Sequence, residues 1–350
     1  MNPKVTIITF TDPMMGLSYE CEPIFRKLET HFEGKIEFKY LMSVLVKDVY
    51  DLVNPDDLSM SKELSIKNYN EKLAKIYESE ESISGMPINM TDFHLFSVEN
   101  TSSLPLNLAY KAAQLVDIQK ADLFLYNLRY ATIVDCRQTT KTEEILKVVR
   151  KTKINEEKFL KYFNDGSATS ALETDLKFAY KLGIRTLPAY LIAYGEDGAL
   201  FQELLGYEAF VEIIKKLTNG EIKTQYLEKN IENLQNLLKK HPIISPIEIR
   251  EVFDFTDIDE VKEFISPLIK SKEIKIVDVE HCSKIPQLEQ KLQDMMGFNF
   301  MLLTASFSAS LLVQCITIEM INMAAIQKIA PESLEKFSTK FDRLSAMTFV

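Results

Sequence analysis

The hydrophobic pattern opens on a run from Val5 to Phe10 that is β-branched or aromatic at every position. Such a run predicts a buried strand, and Thr11-Asp12-Pro13 punctuates its end. From Gly16 to His31, the apolar residues Leu17, Ile24 and Leu28 recur near helical spacing and predict one amphipathic helix, which Gly34 ends. Lys35 to Val46 alternates through Ile36, Phe38 and Tyr40, which predicts a second strand.

Residues 60–182 read as mainly helical. Ala109, Ala112 and Ala113 favour a helix over Leu104 to Val116. Thr140 with Glu143, and Ser170 with Glu173, match the capping-box spacing, and Asn155 suits an N-cap for Glu156 to Phe163. The last of these helices is expected to run to Leu182 and stop at Gly183. A strand over Ala189 to Tyr194, a turn, a strand over Ala199 to Leu205 and a helix over Tyr207 to Leu217 follow. Strand, helix and strand, then a helical insert, a hairpin and a helix, is an α/β order.

From Gln225 the character changes. Asn230 to Lys240 predicts a helix, Pro242 and Pro246 frame a second that ends near Phe255, and Thr256 caps a third through Ile265. With a strand expected from Ile274 to Val279, this is a winged-helix-like order. The third helix is acidic (Asp257, Asp259, Glu260 and Glu263 against Lys262), a charge that phosphate would repel, and Pro267 interrupts it. The module is therefore expected to contact protein or to serve as a structural appendage.

The net charge of -10 and pI near 5.2 argue against a broad phosphate-binding surface, so no nucleic-acid partner is expected. Cys21, Cys136, Cys282 and Cys315 are scattered without any CxxC, which indicates neither a zinc site nor a dithiol. The start of the chain lacks a signal-peptide pattern, so the expected compartment is reducing and cytoplasmic. His31, His94, His241 and His281 are dispersed, and no glycine-rich phosphate loop occurs. No metal and no cofactor are expected.

Three stretches carry a family resemblance. They are Thr11-Asp12-Pro13 with Glu22-Pro23, then Leu108 to Ala113, then Leu182 to Pro188 followed by Leu205-Gly206-Tyr207. Over residues 3–220 the chain resembles the DsbA family, in its FrnE (dithiol-disulfide isomerase) branch. The resemblance implies a thioredoxin fold with a large helical insertion, and it places the two redox cysteines two and five residues after the proline of Asp-Pro. Here those positions are Met15 and Ser18, in the tetrapeptide Met15-Gly16-Leu17-Ser18. A thioether forms no thiolate and a hydroxyl resolves no mixed disulfide, so both redox positions are lost.

The resemblance also matches Pro188 to the family's cis-proline, beside which an extended peptide pairs. Asp12, Pro13, Met14, Met15, Leu17, Ser18, Leu187 and Pro188 are then the expected binding residues, with no catalytic residue among them. Some DsbA-family members are adaptors that deliver a client to a protease, and a redox-inactive adaptor for a client protein or peptide is the expected function. The alternative is an enzyme, either a thiol-disulfide oxidoreductase or isomerase using Cys21, or a glutathione-transferase-like enzyme using Ser18. In the adaptor reading Cys21 is a buried structural thiol and Ser18 a hydrogen-bonder in the first helical turn.

The expected division is a DsbA-like domain over 1–222, a winged-helix-like module over 223–290 and a terminal segment over 291–350. Met295 to Ile318 contains no charged residue, but hydroxyls and amides dilute it and no basic cluster flanks it. It is expected to be buried or to form a homodimer seam over 295–326, not to cross a membrane.

Overall fold

Val5–Thr11 (β1) pairs in parallel with Ile36–Met42 (β2), with Ile7 opposite Phe38 and Thr9 opposite Tyr40. The computed structural model describes residues 4–277 and residue 279. Ala189–Tyr194 (β3) runs antiparallel to β1, and Asp197–Phe201 (β4) antiparallel to β3, giving the sheet order β2-β1-β3-β4. That order is an α/β thioredoxin-type sheet, as expected. Its central strands are buried on both faces, which is why β1 reads as a continuous apolar run and not as an alternation.

The segment between β1 and β2 forms two helices where one was expected, Gly16–Glu20 (α1) and Glu22–His31 (α2). Pro23 lies in the first turn of α2 and has no backbone N–H to continue the earlier helix, so the chain restarts at Cys21. Phe25 of α2 meets Phe38, Tyr190 and Phe210 edge-on across one face of the sheet. Phe210 belongs to Tyr207–Leu217 (α10), which covers the same face.

Between β2 and β3 lies the helical insertion. It comprises Pro55–Met60 (α3), Lys62–Glu80 (α4), Leu104–Val116 (α5), Ile118–Ile133 (α6), Thr142–Lys151 (α7), Glu156–Asn164 (α8) and Ser167–Lys181 (α9). α5 is its hub, with Ala109, Ala112 and Ala113 buried so that α6, α8 and α9 approach closely. Asn155 caps α8 by accepting from the Lys158 amide, as expected. The two other caps differ. α7 begins after Lys141 because the Thr140 hydroxyl donates to the Leu95 carbonyl instead, and α9 begins after Gly166, which leaves Ser170 inside the helix. Gly183 ends α9 at φ 67°, in the left-handed region that favours glycine.

Ile231–Lys240 (α11), Pro246–Val252 (α12) and Ile258–Lys270 (α13) follow, with their own core of Leu234, Leu237, Val252, Phe253, Val261 and Ile265. Asp257, not Thr256, caps α13, and Pro267 falls inside that helix without ending it before Lys270. The expected strand does not form over 274–277, where Ile276 and Val277 are exposed and no partner strand is described. The expected strand hairpin of a winged helix is thus not present among the described residues. α12 packs on α2, so the three helices share surface with the thioredoxin-fold part. The uncharged segment 295–318, the seam 295–326, His281, Cys282 and Cys315 lie outside the described residues. Among the described residues no helix is long and apolar enough to cross a membrane.

Candidate functional site

The turn after β1 is where a thioredoxin-type redox centre sits, and here it is built for closure. Asp12 is fully buried, and its carboxylate ties three segments together. Oδ1 accepts from the Met14 amide at 2.9 Å, and Oδ2 accepts from the Leu45 amide at 2.8 Å, the Ser103 hydroxyl at 2.7 Å and the Asn107 amide group at 2.8 Å. Burial raises its pKa above the usual carboxylate value against the lowering effect of those bonds. Asp12 fixes the turn and presents nothing to a ligand.

Met15 is the residue before α1, with extended backbone, and is 6% exposed; Met14 is 1% exposed. Met14 and the neighbouring Gly16 are covered by α4. The Tyr77 hydroxyl donates to the Met14 carbonyl, and a Cβ added at Gly16 would lie 1.9 Å from Glu80 Oε2 and 2.6 Å from the Tyr77 ring. Only a glycine leaves room for this cover. Glu80 has an oxygen, Oε2, that is buried without a hydrogen-bond partner, and burial alone pushes its carboxyl up to about 7.

Ser18 is buried and accepts from the Thr11 hydroxyl at 2.7 Å. It therefore ends a polar chain and does not cap free amides of the first turn. Thr11 in turn accepts from Arg129 Nη2 at 3.0 Å, and Arg129 Nη1 pairs with Glu22 at 2.7 Å. Arg129 is fully buried on α6. The network continues from Glu22 to Arg26 at 3.0 Å and from Arg26 to Glu248 of α12 at 3.1 Å, and Tyr126 donates to Glu248 at 2.7 Å.

Cys21 lies at the α1–α2 junction, 4% exposed, with its sulfur 3.5 Å from the Tyr190 hydroxyl. Burial pushes its thiol up to about 11, so it stays protonated at neutral pH, the opposite of an activated nucleophile. Cys136 donates to the Asn89 carbonyl at 2.6 Å and is raised to about 11 by the same cause.

Opposite this turn, the Leu187–Pro188 peptide bond is cis and Pro188 is buried. The preceding backbone is already answered. Gln202 Oε1 accepts from the Arg185 amide at 2.7 Å and the Thr186 amide at 3.4 Å, and the Thr186 hydroxyl donates to the Gln202 carbonyl at 2.9 Å. Of the eight residues expected at a binding surface, Asp12, Pro13, Met14, Met15, Ser18 and Pro188 are buried; Leu17 and Leu187 keep partial exposure. The structure brings all eight to one end of the sheet but leaves two of them a surface.

Tyr77, Glu80, Gln202 and Arg129 escape a reading of the sequence, because each acts on a residue 16 to 118 positions away. The i,i+4 spacing of Glu22 and Arg26 is the one local signal of the network. Among the described residues no cluster of His, Cys, Asp or Glu could hold a metal.

The sheet, its cis-proline loop and this sealed turn define a thioredoxin-fold protein of the DsbA type with a helical insertion. The chain belongs to the thioredoxin family, since the sequence model of the family described as Thioredoxin matches residues 8–212. It is 24% identical over 288 residues to the ClpXP adapter protein SpxH of Bacillus subtilis, which covers 80% of this chain and 89% of that protein. The protein of the same name from Halalkalibacterium halodurans is 22% identical over 278 residues, 79% of this chain and 86% of its own. A putative protein disulfide isomerase from Nitrosomonas europaea superposes with a TM-score of 0.51 at 14% identity, over 62% of this chain and 99% of that one. This last likeness is one of fold.

Proposed function

We propose that this chain is a redox-inactive, protein-binding adaptor on a DsbA-type scaffold, which holds a client protein or peptide and exchanges no disulfide with it. The observation that carries this reading is the filling of the former redox centre. Met15 and Ser18 stand at the thiol positions, and between them Tyr77 and Glu80 of α4 close over Gly16, with Tyr77 bonded to the Met14 carbonyl. Disulfide exchange at that turn would need a thiolate in contact with solvent, and the nearby Cys21 is buried and protonated.

The finer features of this reading follow the relatives named as ClpXP adapters, which match about four-fifths of the chain. In it the chain delivers its client to a ClpXP-type protease in the cytoplasm. The client contact includes the partly exposed Leu17 and Leu187, with the other six residues supporting them from beneath. The chain divides into a DsbA-like part over 1–222, a winged-helix-like module over 223–290 and a terminal segment over 291–350, whose residues 295–326 form a homodimer seam.

The test is a ClpXP degradation reaction charged with proteins that the full-length chain captures. Addition of the chain should accelerate loss of at least one captured protein, and replacing Leu17 and Leu187 by Asp together should abolish the acceleration. Insulin reduction above background that disappears in Cys21→Ser would replace this reading with the enzyme. The absence of any rate effect on captured proteins would defeat it.

A further inference from the structure

An open groove of about 600 Å³ runs along the part of α4 that precedes Tyr77. One wall is a stripe of α4 from Glu63 to Ala74, at helical spacing. The facing wall is the segment 90–99, which forms neither helix nor strand. Asn70 fixes that segment, since its Nδ2 donates to the Phe96 carbonyl at 2.9 Å and its Oδ1 accepts from the Phe96 amide at 3.1 Å. The Thr140 hydroxyl holds the adjoining Leu95 carbonyl at 2.6 Å. The groove therefore keeps its shape without an occupant.

Its floor is apolar, made by the edges of Ile66, Met90, Phe93 and Phe96, with Val98 half-buried at the side. Its rim is acidic. Glu63, Glu71, Asp92 and Glu99 are exposed there, against Lys67, which already pairs with Glu71 at 3.8 Å. The acids are set apart along the groove, because the segment runs antiparallel to α4. Phe93 meets Tyr77 edge-on, Phe96 meets Asn70, and the Glu63 and Glu99 carboxylates both act on Tyr50. Glu63 and Glu99 thus stand at one end and Asp92 toward the other.

What fits follows from this layout. Nucleic acid or an anionic lipid surface would be repelled by the rim. A metal ion would need the carboxylates together, and among the described residues no such cluster occurs. A second copy of the chain, at a net charge of -10, would bring more of the same sign. A peptide with an apolar side chain between two basic ones matches both the floor and the rim. The stripe from Glu63 to Ala74 is about 16 Å long, a length that about five residues of extended chain cover.

We propose that this groove docks a short extended segment of a partner protein, with an apolar side chain over Phe93 and Phe96 and a Lys or Arg at each end, facing Glu63 and Glu99 on one side and Asp92 on the other. The proposal stands apart from the adaptor reading, because it uses none of the eight residues at the sealed turn and is tested by peptide binding, not by degradation.

The experiment is methyl NMR of the full-length protein labelled at Ile and Met, titrated with the capped peptide Lys-Ala-Leu-Ala-Lys. The control peptides are Glu-Ala-Leu-Ala-Glu and Lys-Ala-Ser-Ala-Lys. The Ile66 and Met90 methyl signals, assigned through Ile66→Val and Met90→Leu, should shift to saturation with the first peptide and with neither control. Added salt should weaken the binding. Glu63→Gln combined with Glu99→Gln, both at exposed positions, should weaken it about fivefold, the scale of two exposed ion pairs. Ala74→Arg, which fills the groove and adds a positive charge, should abolish it; if that variant does not fold, the Gln pair decides the matter. No saturable shift, an equal response to the Glu peptide, or undiminished binding by the folded Gln pair overturns the proposal. Signals that move on dilution of the protein alone, and not with the peptide, would assign the groove to a second copy and overturn it as well.

Discussion

Glu80 and Gly16 compete for one volume: a methyl group on the Gly16 Cα would lie 1.9 Å from the Glu80 carboxylate and 2.6 Å from the neighbouring Tyr77 ring. The carboxylate can swing away, but the ring is held by its bond to the Met14 carbonyl. Gly16→Ala should therefore destabilise the fold by about 1–3 kcal/mol, the usual cost of overpacking. Chemical denaturation measures it, and a midpoint equal to the wild type would mean that α4 does not press on the turn as described.

Glu80 makes this cover sensitive to pH. Its carboxyl has an ordinary value of 4.5 and stands at about 7 in the fold, with burial as the cause. Below about 4.5 both folded and unfolded chains hold the proton. Between 4.5 and 7 the unfolded chain gives it up first, so the contribution to stability falls as pH rises through that window. Glu80→Gln removes the titration. The stability of this variant relative to wild type should grow from pH 5 to pH 7.5, and a constant difference across that range would exclude the mechanism.

Cys21 and Cys136 should resist modification in the folded protein at pH 7.5, since burial pushes both thiols up to about 11. Mass-spectrometric mapping after brief iodoacetamide treatment should find both unmodified until denaturant is added. Rapid native labelling of Cys21 would reopen the thiol-enzyme alternative.

Arg129 is fully buried between Glu22 and Thr11. Arg129→Met leaves Glu22 with Arg26 as its one ion-pair partner and should cost about 3–5 kcal/mol, as broken buried ion pairs do. Adding Glu22→Gln should recover part of that loss, because the under-compensated charge is then gone. If the double variant is less stable than the sum of the single ones, the pair does not act as described.

What can be read from the chain alone follows the range of each interaction. β1 and the helix over Leu104–Val116 are set by their own side chains, and Asn155 caps its helix with a bond to an amide three residues on. Thr140 misleads because its hydroxyl finds a carbonyl 45 residues away instead of the helix beside it. Pro23 is visible, yet the helix break it causes is hidden behind an apolar spacing that two short helices satisfy as well as one. Of the candidate site, that Met15 and Ser18 are not cysteines is legible in the sequence. The cover by Tyr77 and Glu80 is not, because it depends on where α4 docks.

The ion pair between Arg26 and Glu248 joins residues on opposite sides of position 222. His31 spans the same divide, meeting the Tyr207 hydroxyl on one side and the Val252 carbonyl on the other. A chain cut near residue 222 would carry Arg26 and Tyr126 to a new surface without Glu248. Shortened versions of this protein are therefore best cut beyond Lys270, where α13 ends, so that the helix carrying Glu248 stays with the sheet it locks.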